Sequence, residues 1–192
     1  MPTSEPQHSK LLPYERSAAA AGRVFTVIVD AEATALKLEY RLEGDLQHLS
    51  VPPPGGTDRR DGLWRHTCFE LFIQLAGGQA YREYNFSPSG EWAAYDFSDY
   101  RTGMTQAEEC AAPQAQWRSA PGLLELHVTV CRPARLPGVA QTSSAGQRPA
   151  LKLGIAAVLE DEGGTLSHWA LRHVSARPDF HHSAGFVIEP DT

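Results

Sequence analysis

The sequence predicts an all-β protein, an antiparallel β-sandwich of the jelly-roll type. About ten short segments alternate between apolar and polar residues, and turn-forming residues separate most of them. No segment repeats its apolar residues at the 3.6-residue spacing of a long amphipathic helix. With 192 residues, of which 42% are hydrophobic and 21% charged, the chain fits one globular domain with a substantial core.

The first third of the chain predicts an arm followed by three strands. Residues 1–22 are polar and contain proline and alanine, so we expect a flexible N-terminal arm there. A single domain then extends over residues 23–192. Prolines and paired glycines predict a loop from Val51 to Gly62. β-branched or alternating segments predict strands at 23–30, 35–42 and 46–51.

The most informative stretch runs from Trp64 to Tyr100 and predicts three antiparallel strands in immediate succession. The turn between the first and second of these strands, at residues 76–79, contains two glycines, which reach positive φ without steric cost. The second turn is Ser-Pro-Ser-Gly, in which proline presets φ and glycine closes the turn. The three strands are expected at 64–75, 80–86 and 91–97.

The second half of the chain continues the pattern with longer connections. Residues 99–116 are expected to be irregular, and 133–150 is expected to be a long connection. These loops and the one near 52–62 are longer than hairpins need, which favours a ligand site framed by one or more of them. Further strands are predicted at 123–130, 151–159, 165–171 and 186–189.

Polar residues inside the central strands form the main candidate site. Glu70, Glu83 and Asn85 occur within aromatic and aliphatic runs, where carboxylates are excluded unless they are partnered. Because side chains alternate along a strand, these three share one sheet face with Trp64 and His66. Such a face combines an aromatic plane with hydrogen-bonding groups, as a sugar site does. The alternative is that both glutamates pair with arginines and only hold the sheet together.

At these residues the chain resembles a known family. The segments WRHTCFELFI and YREYNFSPSGEWAAYDF resemble the core of DOMON-like domains related to carbohydrate-binding module family nine. SHWALRHVSARPDFHHSAGF is similar to the closing segment of a bacterial subgroup of these domains. The resemblance extends from about residue 23 to 189 and implies a ligand-binding β-sandwich, in a superfamily that includes both sugar binders and haem binders. The family pattern falls on Glu70, Glu83, Asn85, Pro88, Gly90 and Tyr95.

A second polar cluster lies near the C-terminus. Its histidines, at positions 173, 181 and 182, stand beside several charged residues, and Pro178-Asp179 predicts a loop in which neighbouring histidines can converge. A sugar contact, a haem ligand and a metal site are the functional interpretations. No residue beyond Asp179 has metal-ligand spacing, so we expect a turn held by imidazole hydrogen bonds instead. The predicted ligand-binding residues are Trp64, His66, Glu70, Glu83, Asn85, Arg172 and His181.

Burial of Glu70 and Glu83 without a cation would cost several kcal/mol. We therefore expect the two carboxylates to lie near a basic group such as Arg101, Arg172 or Arg177, bound through an arginine fork.

No cofactor is expected, and haem is the alternative. The haem-carrying relatives use a methionine and a histidine as axial ligands. Apart from Met1, the chain contains only Met104, which could pair with His173 or His181 across the sandwich. Methionine is also a common packing residue, so this match is weak.

A non-catalytic domain is expected. The sequence contains no nucleophile elbow, no phosphate-binding glycine loop and no His-Glu-x-x-His motif. Glu70 and Glu83 could form the acid/base pair of a glycosidase, but paired carboxylates on a sheet more often hold structure or ligand. We therefore predict a domain that binds a carbohydrate or glycoconjugate. The alternatives are a haem-binding, b-type cytochrome-like domain and a structural or protein-interaction domain without a small ligand.

Charge and hydropathy argue against other partners. A net charge of −6 without a basic cluster argues against nucleic acid, and the apolar runs are too short to cross a bilayer. The N-terminus lacks the basic and apolar regions of a secretory signal. The chain has an odd number of cysteines, of which Cys68 and Cys131 are expected to be buried thiols in strands, so a cytoplasmic location is expected. The sequence identifies no protein partner.

Overall fold

The computed structural model describes residues 5–15, 20–133, 136 and 150–190. Its strands are all antiparallel and follow the spatial order β7-β6-β5-β4-β10-β11-β1-β2-β3-β9-β8. In chain order they are β1 Gln7–Pro13, β2 Val24–Ala31, β3 Ala35–Glu43, β4 Cys68–Leu75, β5 Tyr81–Phe86, β6 Trp92–Phe97, β7 Thr105–Gln106, β8 Gln114–Ala120, β9 Leu123–Cys131, β10 Leu151–Asp161 and β11 Thr165–Ala170. Two short 3₁₀ turns, Leu63–Arg65 and Ser183–Gly185, complete the regular structure of these residues.

The sheet folds over itself to give a sandwich, which confirms the predicted all-β class. We call β4, β5, β6, β7, β10 and β11 the front sheet, and β2, β3, β8 and β9 the back sheet. Strand β1 pairs with β11 on one side and with β2 on the other, so it joins the two sheets.

The main core lies between the two sheets. Phe69 of β4 is central to it, with its ring centroid 5.5 Å from that of Tyr40 and 4.9 Å from that of Trp117, both on the back sheet. Alternation directs every second side chain of each strand into this layer. The Tyr40 hydroxyl is buried here and donates to the Glu70 backbone carbonyl, 3.1 Å away. The backbone thereby satisfies a buried phenol without a polar side chain in the core.

The front sheet is buried on both faces. Every residue of β4 and β5 is buried, whereas strands with one solvated face show alternating exposure. The outer face carries a second apolar cluster that includes Phe72, Tyr81, Tyr95 and Phe97. Phe186, from the segment after β11, stacks on Phe72 with ring centroids 5.6 Å apart. This C-terminal segment therefore covers the outer face.

Gly154 makes that cover possible. It lies on β10, and a Cβ atom at this position would overlap the Phe186 ring. One backbone pairing, between Leu153 and Ile188, fixes the segment alongside β10. The predicted strand at 186–189 is therefore only an isolated bridge. The predicted strand at 46–51 is likewise reduced to one bridge, between Leu49 and Asp161.

The three predicted central strands are confirmed as β4, β5 and β6, with short turns between them. The first begins at Cys68 and not at Trp64, because Leu63–Arg65 form a 3₁₀ turn. The flexible arm predicted over residues 1–22 is wrong for Gln7–Pro13, which form β1. The backbone of this segment finds partners on two neighbouring strands, which its polar side chains do not reveal.

Strand β7 and the first three residues of β8 lie in the segment 99–116 that was predicted to be irregular. The long connection predicted at 133–150 lies mostly outside the described residues.

In the described part of the chain, no helix is long and apolar enough to cross a membrane.

A buried ion cluster ties the loop after β7 to the inner face of the front sheet. The Arg82 guanidinium donates to both carboxylate oxygens of Asp96, at 2.6 and 2.8 Å, and to Glu109 at 2.7 Å. The Tyr84 hydroxyl also donates to Glu109, at 2.7 Å. The arginine is thus neutralised within the sandwich, as a buried charge must be.

The next residue along this loop, Cys110, forms a disulfide with Cys131 at the end of β9. The expectation of a Cys131 thiol is therefore wrong. Cys68 is the free, buried cysteine of the described residues.

Candidate functional site

The outer face of the front sheet brings the three predicted polar residues together. Glu70 on β4 lies directly opposite Asn85 on β5. Glu83 lies two residues before Asn85, so its side chain shares that face. The Asn85 amide donates to Glu83 Oε1 at 2.6 Å, and the Cys68 thiol donates to Asn85 Oδ1 at 3.4 Å. The prediction that the two carboxylates lie on neighbouring strands and the same face is confirmed.

These groups are buried, which contradicts their predicted role as ligand-binding residues on an accessible sheet face. Glu70 is 3% exposed, Glu83 is 5% exposed and Asn85 is not exposed at all. The apolar outer layer and the C-terminal segment cover them. Alternation predicted their direction correctly, but it did not show the cover, because the C-terminal part of that cover comes from residues far along the chain, such as His181 and Phe186.

Burial sets the proton affinity of both carboxyl groups. Desolvation raises the pKa of Glu70 well above its ordinary value, and the neighbouring Glu83 charge raises it further. Desolvation also raises the pKa of Glu83 to about 7, against the opposing effects of the Asn85 hydrogen bond and the Arg101 charge. Among the described residues, neither carboxylate forms an ion pair with an arginine. The predicted arginine fork is therefore wrong, since the Arg101 guanidinium binds Asp179 at 3.1 Å. The predicted nearby basic group is present, because the Arg101 charge acts on both carboxyl groups.

His181 is the residue that contacts this pair from the C-terminal segment. Its Nε2 lies 3.7 Å from Glu83 Oε2, and its Nδ1 lies 2.7 Å from the Tyr81 hydroxyl. The ring packs against the edges of Phe72 and Phe97. Burial and the Arg101 charge lower the pKa of His181 to about 4, so the imidazole is neutral at pH 7.

A cleft opens on the solvent side of His181. Its volume is about 370 Å³, and we call it the His181 cleft. Tyr100 stands at its rim, 46% exposed, and its hydroxyl donates to Asp179 at 2.8 Å. The side chains that line it include Gln79, Tyr81, Tyr100, Arg177, Asp179 and His181.

The cleft holds both signs of charge. Asp179 is neutralised by Arg101. Although burial opposes the shift, the hydrogen bonds from Tyr100 and Arg101 lower the pKa of the Asp179 carboxyl group. Asp99 also lines the cleft and accepts only the backbone N–H of Tyr100 among the described residues. Within the described ranges, the Arg177 guanidinium and the Gln79 side-chain amide form no hydrogen bond or ion pair. Free donors and acceptors therefore surround an exposed aromatic ring, and this set can bind a polar ligand rich in hydroxyl groups.

Trp64 and His66 lie away from this cleft. Trp64 is half-buried and meets the Tyr95 ring edge-on, with centroids 5.7 Å apart. The Arg59 guanidinium covers the same ring at 4.9 Å. His66 is exposed, and its Nδ1 lies 2.7 Å from Glu160 Oε2. The alternation predicted for His66 fails, because the strand begins only at Cys68.

Arg172 and the other C-terminal histidines hold backbone in place. Arg172 is exposed and donates to the Ala184 carbonyl at 3.3 Å. His173 Nε2 lies 2.8 Å from the Leu12 carbonyl oxygen, and His182 Nδ1 accepts the Ala184 N–H at 3.2 Å. A turn held by imidazole hydrogen bonds is therefore confirmed for this segment.

The metal and haem hypotheses gain no support from this geometry. Within the described ranges, no group of three His, Cys, Asp or Glu side chains is placed to hold a metal ion. Met104 is 49% exposed, whereas an axial haem ligand must point into a pocket. Its two candidate partners, His173 and His181, each have one ring nitrogen in a hydrogen bond.

The residues that the sequence did not single out are Gln79, Asp99 and Tyr100. They belong to turns, where alternation gives no direction. An aromatic residue followed by a basic one in a predicted loop, Tyr100-Arg101, was the available signal.

Comparison with known proteins supports the fold. The sequence matches no protein-family model, and no curated protein matches it significantly. A structure from Bacteroides uniformis, described as a "putative carbohydrate-binding protein", superposes with a TM-score of 0.60 at 12% identity, covering 94% of this chain and 84% of that one. At this identity the likeness shows a shared β-sandwich fold.

Two weaker matches are family 9 carbohydrate-binding modules from Caldicellulosiruptor kristjanssonii. The complex with cellotriose gives a TM-score of 0.47 at 8% identity, covering 86% of this chain and 72% of that one. The complex with glucose gives 0.45 at 9% identity, covering 86% and 73%.

Proposed function

We propose that this protein is a non-catalytic domain that binds a neutral carbohydrate in the His181 cleft. The observation that carries the proposal is the position of Tyr100, a half-exposed ring beside the Asp99 carboxylate and two side chains, Arg177 and Gln79, that have no partner among the described residues. Sugar rings stack their C–H faces on aromatic planes, and their hydroxyls bind carboxylates, guanidinium groups and amides.

The charges of the cleft favour a neutral sugar. Asp179 is paired with Arg101, and Asp99 and Arg177 carry opposite charges at the same cleft. An acidic or basic sugar would bring one of these groups a like charge, whereas hydroxyls can bind both. A volume of about 370 Å³ also falls within the range of small-molecule sites.

Two likenesses support the same class of ligand. The sequence resembles DOMON-like domains related to carbohydrate-binding module family nine, and the fold is shared with a protein described as carbohydrate-binding. Both likenesses concern the fold and not the binding residues. The DOMON-like relationship is therefore a part of this proposal. The particular ligand must follow from the cleft itself.

The buried carboxyl pair argues against a glycosidase. Glu70 and Glu83 lie behind His181 and do not line the cleft. A general acid must reach the glycosidic oxygen within hydrogen-bond distance. In the arrangement described, a bound sugar meets His181 and Tyr81 before it meets either carboxyl group.

Isothermal titration with a panel of neutral mono- and oligosaccharides tests the proposal. Tyr100→Ala removes the stacking plane and should abolish binding, while Tyr100→Phe retains most of it. Leu166→Ala removes an exposed apolar side chain on β11 and should leave binding unchanged. If no sugar binds at millimolar concentration, the structural interpretation replaces this one.

Trp64→Ala separates the two possible positions of the site. The His181 cleft does not include Trp64, so the substitution should leave sugar binding nearly unchanged. Loss of binding in this variant, with Tyr100→Ala unaffected, would instead place the sugar on the surface formed by Trp64 and Tyr95.

The cytoplasmic location stays a proposal, and the disulfide gives it a clear test. Cytosolic thiols are kept reduced, so a Cys110–Cys131 bond is expected to persist only in an oxidising compartment. Rapid alkylation in intact cells, followed by denaturation, counts the free thiols. All cysteines free supports the cytoplasm, whereas Cys68 alone supports an oxidising compartment.

A further inference from the structure

One side chain, His181, belongs both to the cleft and to the buried carboxyl pair. Its ring lines the cleft, and its Nε2 lies 3.7 Å from Glu83 Oε2 on the other side. Tyr81 lines the same cleft and contacts His181 Nδ1 at 2.7 Å. These two side chains are thus the layer between the carboxyl pair and the solvent that fills the cleft.

The hydrogen bonds of this layer orient the His181 imidazole so that its Nε2 faces Glu83. The Tyr81 oxygen accepts the Arg101 backbone N–H at 3.2 Å, so its own hydrogen can be donated to His181 Nδ1. The neutral imidazole then carries its single hydrogen on Nε2, which faces Glu83. The Glu83 carboxyl group therefore lies behind a hydrogen-bonded pair, Tyr81 and His181, that lines the cleft, with 3.7 Å between His181 Nε2 and Glu83 Oε2.

Ionisable groups face Glu83 from each element around it. The carboxyl group of Glu70 opposes its charge, and the Arg101 guanidinium favours it while bound to Asp179. Burial places the proton affinity of Glu83 near neutrality, whereas His181 titrates only near pH 4. The ionisable groups around Glu83 are Cys68 and Glu70 on β4, Tyr81 on β5, Tyr95 on β6, Arg101 in the turn after β6, and Asp179 and His181 in the C-terminal segment.

We propose that filling the His181 cleft is coupled to the uptake of a proton by the Glu70/Glu83 pair. A ligand in the cleft displaces the water next to His181 and Tyr81, so the carboxylate charge behind them loses solvation. The protonated pair then becomes the favoured form. By linkage, the ligand binds more tightly at acidic than at alkaline pH. The identity of the ligand rests on the proposed function, whereas the coupling itself does not.

A tethered group tests the coupling without any sugar. Ser183 lines the cleft, and the thiol of a Ser183→Cys variant can be labelled with a benzyl or a methyl thiosulfonate. Carbon-13 NMR then follows the Glu83 carboxyl group through pH. We expect the benzyl label to raise its pKa by roughly half a unit or more relative to the methyl label, because it excludes water from the cleft.

The matched control is Ser119→Cys, which carries the same labels at a separate cavity of about 330 Å³ beside the ends of β3 and β8. There the two labels should give the same Glu83 titration. An unchanged pKa in labelled Ser183→Cys overturns the proposal, as does an equal change in the control.

Glucose titrated at pH 6.0 and pH 8.5 tests the same coupling with a ligand. If occupancy raises the pKa by about one unit, glucose binds roughly sevenfold more tightly at pH 6.0 than at pH 8.5. Glu83→Gln should remove this pH dependence. Equal affinity at both pH values overturns the coupling. Absence of glucose binding at either pH, together with the expected effect of the tethered group, supports the coupling and counts against the sugar.

Discussion

Replacement of Glu83 by glutamine should change how the stability of the protein depends on pH. Glutamine keeps the oxygen that accepts the Asn85 amide, and it removes the charge that burial opposes. The pKa of Glu83 is raised from its ordinary value of 4.5 to about 7. The folded protein therefore holds a proton that the unfolded chain loses more readily.

The sign and size of the effect follow from proton linkage. Because the folded-state pKa is raised, the wild-type carboxyl group is fully compatible with folding below pH 4.5 and becomes destabilising as pH rises to about 7. Each tenfold change in proton affinity is worth about 1.4 kcal/mol, so the whole effect is about 3 kcal/mol. The variant should gain about 3 kcal/mol relative to wild type between pH 4.5 and pH 8.

His181 contributes a pH dependence of the opposite sign to both proteins. It cancels when the free energies of unfolding of wild type and Glu83→Gln are subtracted. The lowered pKa of His181 destabilises the folded state of both proteins as pH falls from 6.5 towards 4. Urea unfolding, followed by tryptophan fluorescence at several pH values, measures the difference in free energy of unfolding. Glu108→Gln makes the same chemical change at an exposed position and gives the background. A difference between Glu83→Gln and wild type that is constant with pH refutes the reasoning.

Three further predictions concern stability. Arg82→Ala leaves Asp96 and Glu109 buried without their cation and should cost roughly 3–5 kcal/mol in urea unfolding, whereas Arg118→Ala on the edge strand should cost little. Gly154→Ala should lower thermal stability by about 1–3 kcal/mol and change the near-ultraviolet circular dichroism, because it displaces the Phe186 ring. Reduction of the Cys110–Cys131 disulfide should destabilise the protein by about 3 kcal/mol in the same urea assay; no change on adding dithiothreitol would contradict a bond in the folded protein.

The central strands could be predicted because their signals are local. β4, β5 and β6 alternate between two faces, and glycine or proline marks each turn. β1 and β8 could not be predicted in the same way. β8, QAQWRSA, contains one large apolar side chain, Trp117, and its remaining stability comes from backbone pairing with β9.

The candidate site shows the same contrast between features with a local sequence signal and features that depend on tertiary contacts. Alternation correctly placed Glu70, Glu83 and Asn85 on one face, since direction is a local property of a strand. It did not reveal their burial, which depends on His181 and Phe186, far along the chain. The His181 cleft is formed by turns and the C-terminal segment, so its geometry depends on tertiary contacts that no period in the sequence records.

The most direct test of the central claim is a nitrogen-15 NMR titration with neutral sugars. If a sugar binds in the His181 cleft, its addition shifts the backbone amides of Gln79, Tyr100 and His182, and leaves those of the separate cavity at Ser119 unchanged. Saturable shifts confined to the cleft are the expected result. Shifts that centre on Trp64 and Tyr95, or no saturable shift with any sugar at millimolar concentration, would contradict the account.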